Sequence, residues 1–272
     1  MSEISLSREA VAAYQRDGFL FPVPALPPAE AAALADEVLA FVDRGPGRHP
    51  VPWTQKAYLL LPSLDALIRD ERLTTPVASI LGEDLLVLSA DLFVKRARSK
   101  GRITWHQDVN YWELEPIGDV LTAWVALTHA TPDNGCMRYS AGGHLGRLAH
   151  EERPGGDNLL TRGQEIAVDI DEAAAVDVVL APGEVAFHHA LAPHASGANG
   201  TDAPRIGFAI RYAPTRIRQT GGPPISARLA RGADRFGHFA LEDGPDAALS
   251  PAALAAHEKA LSVHAATGFS TI

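Results

Sequence analysis

Between residues 84 and 212 the chain is a series of short β-rich runs, with turn signals between them and no long helical pattern. In one run Thr122, Trp124 and Ala126 alternate with purely apolar neighbours, which is the period of a strand with two different faces. Strands of this kind without intervening long helices predict an antiparallel barrel or jelly roll. We predict strands at residues 84–95, 102–110, 120–128, 164–170, 176–180, 184–188 and 205–212.

Helical patterns lie at the two ends of the chain. We predict a helix from Ser7, whose hydroxyl can cap it, to Asp17, with Gly18 ending it in a left-handed conformation. Because no repeat, low-complexity tract or linker is visible, residues 1–272 are expected to form one domain, with a β core at about 82–215 and a helical layer at 7–81. Further helices are predicted after Pro27-Pro28, at 64–69, at 74–81 and in the tail at about 252–263.

Composition restricts the partners and the compartment. A net charge of −9 and a pI near 5.6 argue against binding to nucleic acid, which needs a basic surface. No apolar stretch approaches the roughly 20 residues of a membrane span, and the N-terminus lacks the pattern of a secretory signal. The single cysteine, Cys136, cannot form an internal disulfide, which fits a reducing compartment. We therefore expect a cytoplasmic protein without a nucleic-acid or membrane partner, and the oligomeric state stays open.

The segment Trp105-His106-Gln107-Asp108 contains a candidate pair of metal ligands. Residues two apart on a strand point to the same side, so His106 and Asp108 can reach one metal ion. Two histidines and one carboxylate form the facial triad of non-haem Fe(II) oxygenases, which leaves positions open for a cosubstrate and O2. A His-x-Asp pair alone is a weak signal, so the assignment needs a third ligand and a cosubstrate anchor.

The segment from His194 to Tyr212 supplies candidates for both. His194 lies 88 residues beyond His106 (194 − 106), far enough to come from another strand of the same barrel. Arg205 begins a strand whose small and basic face is unusual for a plain core and suits a lumen that receives an anion. A guanidinium binds a carboxylate through two charge-assisted hydrogen bonds, as the distal end of a dicarboxylate cosubstrate requires. The hydroxyl of Ser196 can share that carboxylate.

Four motifs occur together in this part of the chain: Trp105-His-Gln-Asp108, the run 121–127, Asp133-Asn-Gly135, and His194-x-Ser196-x-x-Asn199 followed by Arg205. Together they resemble the phytanoyl-CoA dioxygenase family of Fe(II)- and 2-oxoglutarate-dependent oxygenases over roughly residues 81–212. The resemblance implies a mainly β fold with flanking helices, in which a double-stranded β-helix of the jelly-roll or cupin-like kind carries an N-terminal helical layer. The chain departs from the family at Ala141-Gly-Gly-His144, where relatives usually have Pro-Gly-Ser-His.

The resemblance also implies a metal site and a cosubstrate site. It makes His106, Asp108 and His194 the catalytic ligands of Fe(II). It assigns the far carboxylate of 2-oxoglutarate to a guanidinium and a hydroxyl, one wall of the pocket to an indole, and a further contact to a family lysine. In this chain these cofactor-binding residues are Arg205, Ser196, Trp124 and Lys56.

Asp108 distinguishes between two chemistries of that family. Halogenating relatives carry a small residue at this position, which frees an iron site for chloride, so the carboxylate favours hydroxylation or another oxidation over chlorination. The resemblance implies oxidation of a small organic molecule by O2 with release of succinate and CO2, and the breadth of the family favours biosynthetic tailoring over acyl-CoA catabolism. Two alternatives stay open. A non-redox metal-dependent barrel, such as an isomerase or lyase, would keep the histidines without needing Arg205, and a non-catalytic ligand-binding barrel would usually have lost one metal ligand.

The sequence also indicates surroundings for the metal site. The Gly-rich segment 142–158 is too long for a hairpin turn and predicts an active-site loop, with the role of a lid. We expect His188 and His189 to pack or hydrogen-bond within their strand, and Arg211 to pair with either an acidic neighbour or a ligand. Residues that follow the metal strand or flank the loop are candidates for the substrate pocket: Tyr111, Trp112, Arg138 and Tyr139.

Overall fold

The computed structural model describes residues 5–47, 51–108, 113–152, 157–159, 164–167, 170–221 and 224–266. Within these ranges, one α-helix precedes the first strand, three lie between the first and the second strand, and one follows the last strand. The helices are α1 (Arg8–Asp17), α2 (Pro28–Arg44), α3 (Pro62–Ile68), α4 (Glu71–Leu81) and α5 (Pro251–Ala266).

Capping residues explain where helix α1 begins and ends and where helix α4 begins. The Ser7 hydroxyl accepts a backbone hydrogen bond at the start of α1, and Gly18 ends that helix in the left-handed region with φ 84°, as the sequence predicts. Helix α4 begins about one turn before the predicted residue 74, because the Asp70 carboxylate caps it by accepting from the N–H of Arg72 at 2.8 Å. A capping carboxylate therefore set a boundary that apolar periodicity alone did not show.

The strands fall into two main sheets and two short separate ladders. In chain order they are β1 (Phe19–Pro24), β2 (Leu85–Lys95), β3 (Ile103–His106), β4 (Leu114–Glu115), β5 (Leu121–Ala126), β6 (Met137–Tyr139), β7 (His150–Glu152), β8 (Gln164–Ile166), β9 (Val176–Asp177), β10 (Glu184–His189), β11 (His194–Ser196), β12 (Arg205–Pro214), β13 (Arg218–Gln219), β14 (Ser226–Arg231) and β15 (Ala240–Leu241). The larger sheet has the order β1-β10-β5-β12-β2-β14-β15 and the smaller one β3-β11-β6-β9. The separate ladders are β13-β4 and β7-β8.

The larger sheet has an apolar outer face that packs against the helices. On β12 this face consists of Ile206, Phe208 and Ile210, all fully buried. They belong to one hydrophobic cluster with Val38 of α2 and Leu64 of α3. Burial of this much apolar surface is the dominant favourable term in folding, so the cluster fixes the helices on the sheet. The predicted helical layer is thus a covering for one face of the β core.

The inner face of the same sheet is polar and faces the smaller sheet. Cross-strand pairing aligns Ser89, Arg211, Thr122 and His188 in one row across β2, β12, β5 and β10. All four side chains are buried. Buried polar groups are costly unless they are hydrogen-bonded or serve a ligand, so this row marks the functional side of the sheet.

The smaller sheet brings together strands that are distant in sequence. Strand β11 lies between β3 and β6, and antiparallel pairing sets His194 opposite His106 on one side and opposite Tyr139 on the other. The two predicted histidine ligands are therefore direct cross-strand neighbours. The second predicted ligand of the first motif, Asp108, follows immediately after β3.

Several predicted strands are shorter than expected, and the structure contains further strands that were not predicted, β14 among them. Strand β3 ends at His106, β8 at Ile166 and β9 at Asp177. Strand β14 extends the larger sheet beyond the predicted core limit of 215, with Leu229 opposite Leu86 of β2. Its sequence, Ser-Ala-Arg-Leu-Ala-Arg, contains no β-branched or aromatic residue and breaks the apolar–polar alternation at Leu229-Ala230, so it gives only a weak strand signal. Pairing with β2 rather than local propensity decides its conformation.

The described elements are mostly strands with helices at the flanks, so the predicted fold class, a jelly-roll core with a helical layer, is confirmed. None of the helices in the described ranges combines the length and the apolar character that crossing a lipid bilayer requires.

Candidate metal centre

The three predicted metal ligands converge on one point between the two sheets. Asp108 Oδ1 lies 3.7 Å from His106 Nε2 and 3.9 Å from His194 Nε2. One donor atom from each residue lies within 4.8 Å of the other two, and all three side chains are buried. They line a cavity between the sheets. The spacing of one residue in the first motif and the cross-strand register of β3 and β11 together produce this arrangement.

Backbone carbonyls fix both histidine rings in the form that binds metals. His106 Nδ1 lies 2.9 Å from the carbonyl of Thr104, and His194 Nδ1 lies 3.1 Å from the carbonyl of Ala192. A carbonyl can only accept, so each Nδ1 carries the proton and each Nε2 has a free lone pair. Such backbone partners orient metal-ligating histidines. The same bond two residues upstream occurs in both ligands, so both lone pairs are aimed in advance.

The surroundings of Asp108 keep it ionised. Its second oxygen, Oδ2, accepts a hydrogen bond from Thr122 Oγ1 at 3.0 Å. Burial alone would raise the pKa of Asp108, but the neighbouring ring of His188 and the nearby charge of Arg211 contribute to holding that pKa well below its usual range. Because Thr122 occupies Oδ2, the oxygen left for a metal is Oδ1, which is also the one near the two histidine ligands.

His188 lies beside the triad, which sequence reasoning did not anticipate. It is buried within its strand, as expected, but its ring lines the cavity, and its Nε2 lies 3.5 Å from Asp108 Oδ2. Its Nδ1 is 2.8 Å from the hydroxyl of Tyr139. Burial lowers the pKa of His188, so the ring is neutral at neutral pH. The signal that could have found it is the alternation of β10, which turns His188 to the same side as Ala186.

The cosubstrate candidates Arg205, Ser196 and Trp124 line the same cavity. The Arg205 guanidinium lies 5.2 Å from the centre of the Trp124 ring. Gly207 makes this contact possible, since a Cβ there would lie 1.9 Å from the indole. The small residue on this face of β12 therefore makes room for Trp124, which then covers the guanidinium.

The structure does not bring Lys56 to the cavity. Its ammonium pairs with the Glu242 carboxylate and donates to the Ser226 carbonyl at 2.9 Å. Glu242 also accepts from the hydroxyl of Tyr58 at 2.6 Å. Glu242 directly follows β15, in a region to which sequence analysis gave no role. What Lys56 does contribute near the cavity is its backbone N–H, which donates to Asp91 at 3.1 Å.

The two substrate candidates that the structure describes, Arg138 and Tyr139, do not line the cavity. Arg138 lies at the surface, where it pairs with Glu172 and Asp177. Tyr139 is fully buried and, among the described contacts, stands behind His188 rather than on the cavity wall. The alternation of β6 turns these neighbours to opposite faces. Tyr111 and Trp112 lie outside the described residues.

The Gly-rich loop is fastened to the metal strand. The side chain of Gln107, which lies between the two ligands of the first motif, donates to the carbonyl of Gly146 at 2.8 Å and accepts from the N–H of Leu148 at 2.8 Å. Its backbone N–H donates to His150 at 3.1 Å. The described part of the segment 142–158 therefore lies beside the triad, and its role as a lid stays a prediction.

The donor set fits a divalent iron ion. The Nε2 atom of His106 is buried and has no hydrogen-bond partner among the described residues, and a buried polar atom without a partner is costly unless a ligand satisfies it. Two neutral imidazoles and one carboxylate are the donors of the facial triad of non-haem Fe(II) oxygenases. Burial, with His106 and His188 as neighbours, holds the pKa of His194 well below its usual range, so this ligand is also unprotonated.

Comparisons with known proteins identify the family of the chain. A family model of phytanoyl-CoA dioxygenase (PhyH) matches residues 14–207. The chain therefore belongs to the phytanoyl-CoA dioxygenase family, and its His-Asp-His group has the donor set of the non-haem Fe(II) oxygenase class. The resemblance predicted from the motifs is confirmed.

Three relatives illustrate the similarity. The structure of the non-heme monooxygenase ThoJ in its apo form is 39% identical, with a TM-score of 0.83 over 96% of this chain and 97% of that one. Peroxisomal phytanoyl-CoA dioxygenase of Homo sapiens is 33% identical over 112 residues, which are 40% of this chain and 32% of that protein. Ectoine dioxygenase of Bordetella bronchiseptica is 31% identical over 154 residues, 52% of this chain and 50% of that protein. The chain thus matches about a third to a half of the length of these curated relatives.

Proposed function

We propose that the protein is an Fe(II)- and 2-oxoglutarate-dependent oxygenase that hydroxylates or otherwise oxidises a small organic molecule. The observation that carries this proposal is the convergence of His106, Asp108 and His194 in a buried cavity that also holds the Arg205 guanidinium. Neither group explains the cavity alone, because the triad needs a metal and the guanidinium needs an anion. A keto-diacid that chelates the metal and extends to Arg205 satisfies both.

In the proposed reaction each residue has a defined task. His106 Nε2, His194 Nε2 and Asp108 Oδ1 would hold Fe(II), a donor set that in non-haem oxygenases leaves room for a cosubstrate and O2. When bound, the iron and 2-oxoglutarate supply the activation of O2, with the balance R–H + 2-oxoglutarate + O2 giving R–OH, succinate and CO2. Arg205 binds the far carboxylate of the cosubstrate, and Trp124 shields it from water. Thr122 keeps the carboxylate of Asp108 from rotating.

The same residues weigh against the alternatives. A non-redox barrel enzyme or a ligand-binding barrel has no evident use for a buried guanidinium near the metal. Asp108 occupies the position that a halogenase leaves free, so chlorination is disfavoured. The ectoine dioxygenase relative supports a small-molecule substrate, and the similarity to a monooxygenase along almost the whole chain supports oxygen insertion. We propose biosynthetic tailoring as the role.

Anaerobic titration tests this proposal. We expect Fe(II) and 2-oxoglutarate together to produce the weak visible charge-transfer band of the chelate, and we expect succinate to form once O2 is admitted. His106→Ala should lose both signals. His129→Ala, which removes an exposed histidine outside the site, should keep them and serves as the matched control.

The contrary result is equally clear. If the parent protein gives neither a band nor succinate, or if His106→Ala behaves like the parent, the oxygenase proposal is wrong. Metal binding without succinate formation would support the non-redox alternative. Chloride in the product would support the halogenase.

A further inference from the structure

A second buried cation stands next to Arg205. Lys95 is the last residue of β2 and the direct cross-strand partner of Arg205, the first residue of β12. Each side chain is 1% exposed. The Lys95 ammonium donates to Ser196 Oγ at 2.7 Å and also to the carbonyl of Gly197. Within the described ranges, no carboxylate pairs with either cation.

Two adjacent buried cations without a counterion are costly. Burial first, and the charge of Arg205 second, lower the pKa of Lys95 to about 7, and burial lowers the pKa of Arg205 to about 10. The other titratable group facing them is the thiol of Cys136, whose pKa burial raises to about 11, so it provides no negative charge at neutral pH. An anion in the cavity would offset this positive charge.

Both the ammonium and the backbone of Lys95 are fixed by hydrogen bonds. The side-chain amide of Asn199 donates to the carbonyl of Lys95 at 3.1 Å and to that of Arg96 at 3.1 Å. The motif His194-x-Ser196-x-x-Asn199 therefore fastens the end of β2 to the segment that directly follows β11, the strand that carries the serine. A lysine so fixed, with its charge uncompensated, is expected to serve a ligand rather than the fold.

Ser196 connects this lysine to the cavity. Ser196 lines the cavity, whereas Lys95 is not among its lining residues. An ammonium can only donate, so Ser196 Oγ accepts from Lys95. The hydroxyl proton of Ser196 is then free to be donated to an anion in the cavity. Lys95 therefore acts on the cavity through the orientation of Ser196 and through its charge.

We propose that Lys95 is a positioning residue for the far carboxylate of 2-oxoglutarate: it orients the Ser196 hydroxyl toward that carboxylate and forms a doubly cationic cradle with Arg205. This inference rests on the proposed function. It also defines the ligand class, because a cradle of two cations selects 2-oxo acids with a second carboxylate over those without one. Short-chain 2-oxo monoacids should bind poorly.

The test compares Lys95→Met, which keeps the length of the chain and removes the charge, with Lys100→Met at an exposed lysine. We measure 2-oxoglutarate affinity by the anaerobic charge-transfer titration, Fe(II) affinity, and the melting temperature of the ligand-free protein. Lys95→Met should weaken 2-oxoglutarate binding about 10- to 100-fold, because the Ser196 hydroxyl loses its orientation toward the charged carboxylate and the nearby positive charge is removed. The rate at saturating 2-oxoglutarate and the Fe(II) affinity should change less than about threefold.

The melting temperature separates a ligand role from a structural one. Removing an uncompensated buried cation should leave the ligand-free protein at least as stable as the parent. Ser196→Ala should weaken binding similarly, and the double variant should lose less than the product of the two effects, because both act on one contact. Lys100→Met should match the parent throughout.

Each other outcome decides against the inference. If Lys95→Met keeps 2-oxoglutarate affinity within twofold, Lys95 has no part in binding, while a parent-like band leaves the proposed function intact. If the parent itself shows no band, the proposed function fails first. If Lys95→Met does not fold, Lys95 is structural unless Lys95→Gln folds, and the 2-oxoglutarate affinity of that variant then decides.

Discussion

Strand β12 carries two buried arginines, one whose charge is compensated by a carboxylate and one whose charge is not. Arg205 and Arg211 lie six residues apart on the same face, both are buried, and both line the cavity. Arg211 forms an ion pair with Asp91 of the neighbouring strand β2. Arg205 has Lys95, another cation, as its cross-strand partner and contacts the face of Trp124. One guanidinium is compensated within the protein and the other is not.

The difference indicates which buried charge stabilises the fold and which is available to bind a ligand. Asp91 also accepts from the N–H of Lys56 at 3.1 Å and from the Ser89 hydroxyl at 3.0 Å, so the pair with Arg211 belongs to a hydrogen-bonded network in which the charge of the guanidinium is compensated. A charge-compensated pair fixes the wall of the cavity. An unpaired cation at the other end of the strand has a cost that only a ligand offsets. The acidic partner that sequence analysis allowed for Arg211 is therefore Asp91.

Removing the carboxylate of the compensated pair should have the largest effect. Asp91→Ala leaves Arg211 buried without a counterion and should lower the free energy of unfolding by about 3–5 kcal/mol. Chemical denaturation of the ligand-free protein measures this loss. The double variant Asp91→Ala with Arg211→Met should recover part of it, since both charges are then absent. A single variant as stable as the parent would show that the pair does not hold this end of the strand.

Removing the uncompensated cation should affect binding and leave folding intact. Arg205→Met should weaken 2-oxoglutarate binding by about 2–5 kcal/mol, the usual cost of truncating one partner of a buried charge pair. The ligand-free protein should be no less stable than the parent. Titration of the Fe(II)-loaded protein and thermal melting check the two halves of this prediction. If Arg205→Met melts as early as Asp91→Ala does, the two ends of β12 do not differ in the way described.

A smaller effect concerns pH at the Arg205 end. The anion is expected to bind the protonated form of Lys95, whose pKa beside Arg205 and the neutral thiol of Cys136 is about 7 in the ligand-free protein. Below pH 7 the affinity for 2-oxoglutarate should be constant as far as Lys95 is concerned. Above pH 7 binding must take up a proton, so the affinity should fall by at most about tenfold per pH unit.

The stability of the ligand-free protein should rise with pH above pH 7, whereas the affinity for 2-oxoglutarate should fall. An unfolded lysine keeps its proton to about pH 10.4, so between pH 7 and pH 10 the unfolded state binds more protons than the folded one and Lys95 destabilises less as pH rises. The stability difference between Lys95→Met and the parent should therefore narrow from pH 7 to pH 9. A binding profile of Lys95→Met that still falls above pH 7 would assign the proton to another group.

Local patterns were sufficient for the helices, for the longest strands of the core and for the first two candidate ligands. The one-residue spacing of His106 and Asp108 and the strand period around Trp124 need no knowledge of distant residues. They failed where a partner from another part of the chain decides the outcome. Strand β14 forms because β2 pairs with it, and Lys56 turns away from the cavity because Glu242 binds its ammonium.

The sequence by itself determined the fold class and the family and singled out three candidate metal ligands, because alternation, turn residues and short motifs are properties of local stretches of the chain. Only the tertiary structure decided which charges are compensated. Whether a buried arginine or lysine meets a carboxylate depends on strand register, and register sets Asp91 near Arg211 but Lys95 beside Arg205. Pairing of this kind joins residues more than a hundred positions apart, and local sequence patterns do not show it.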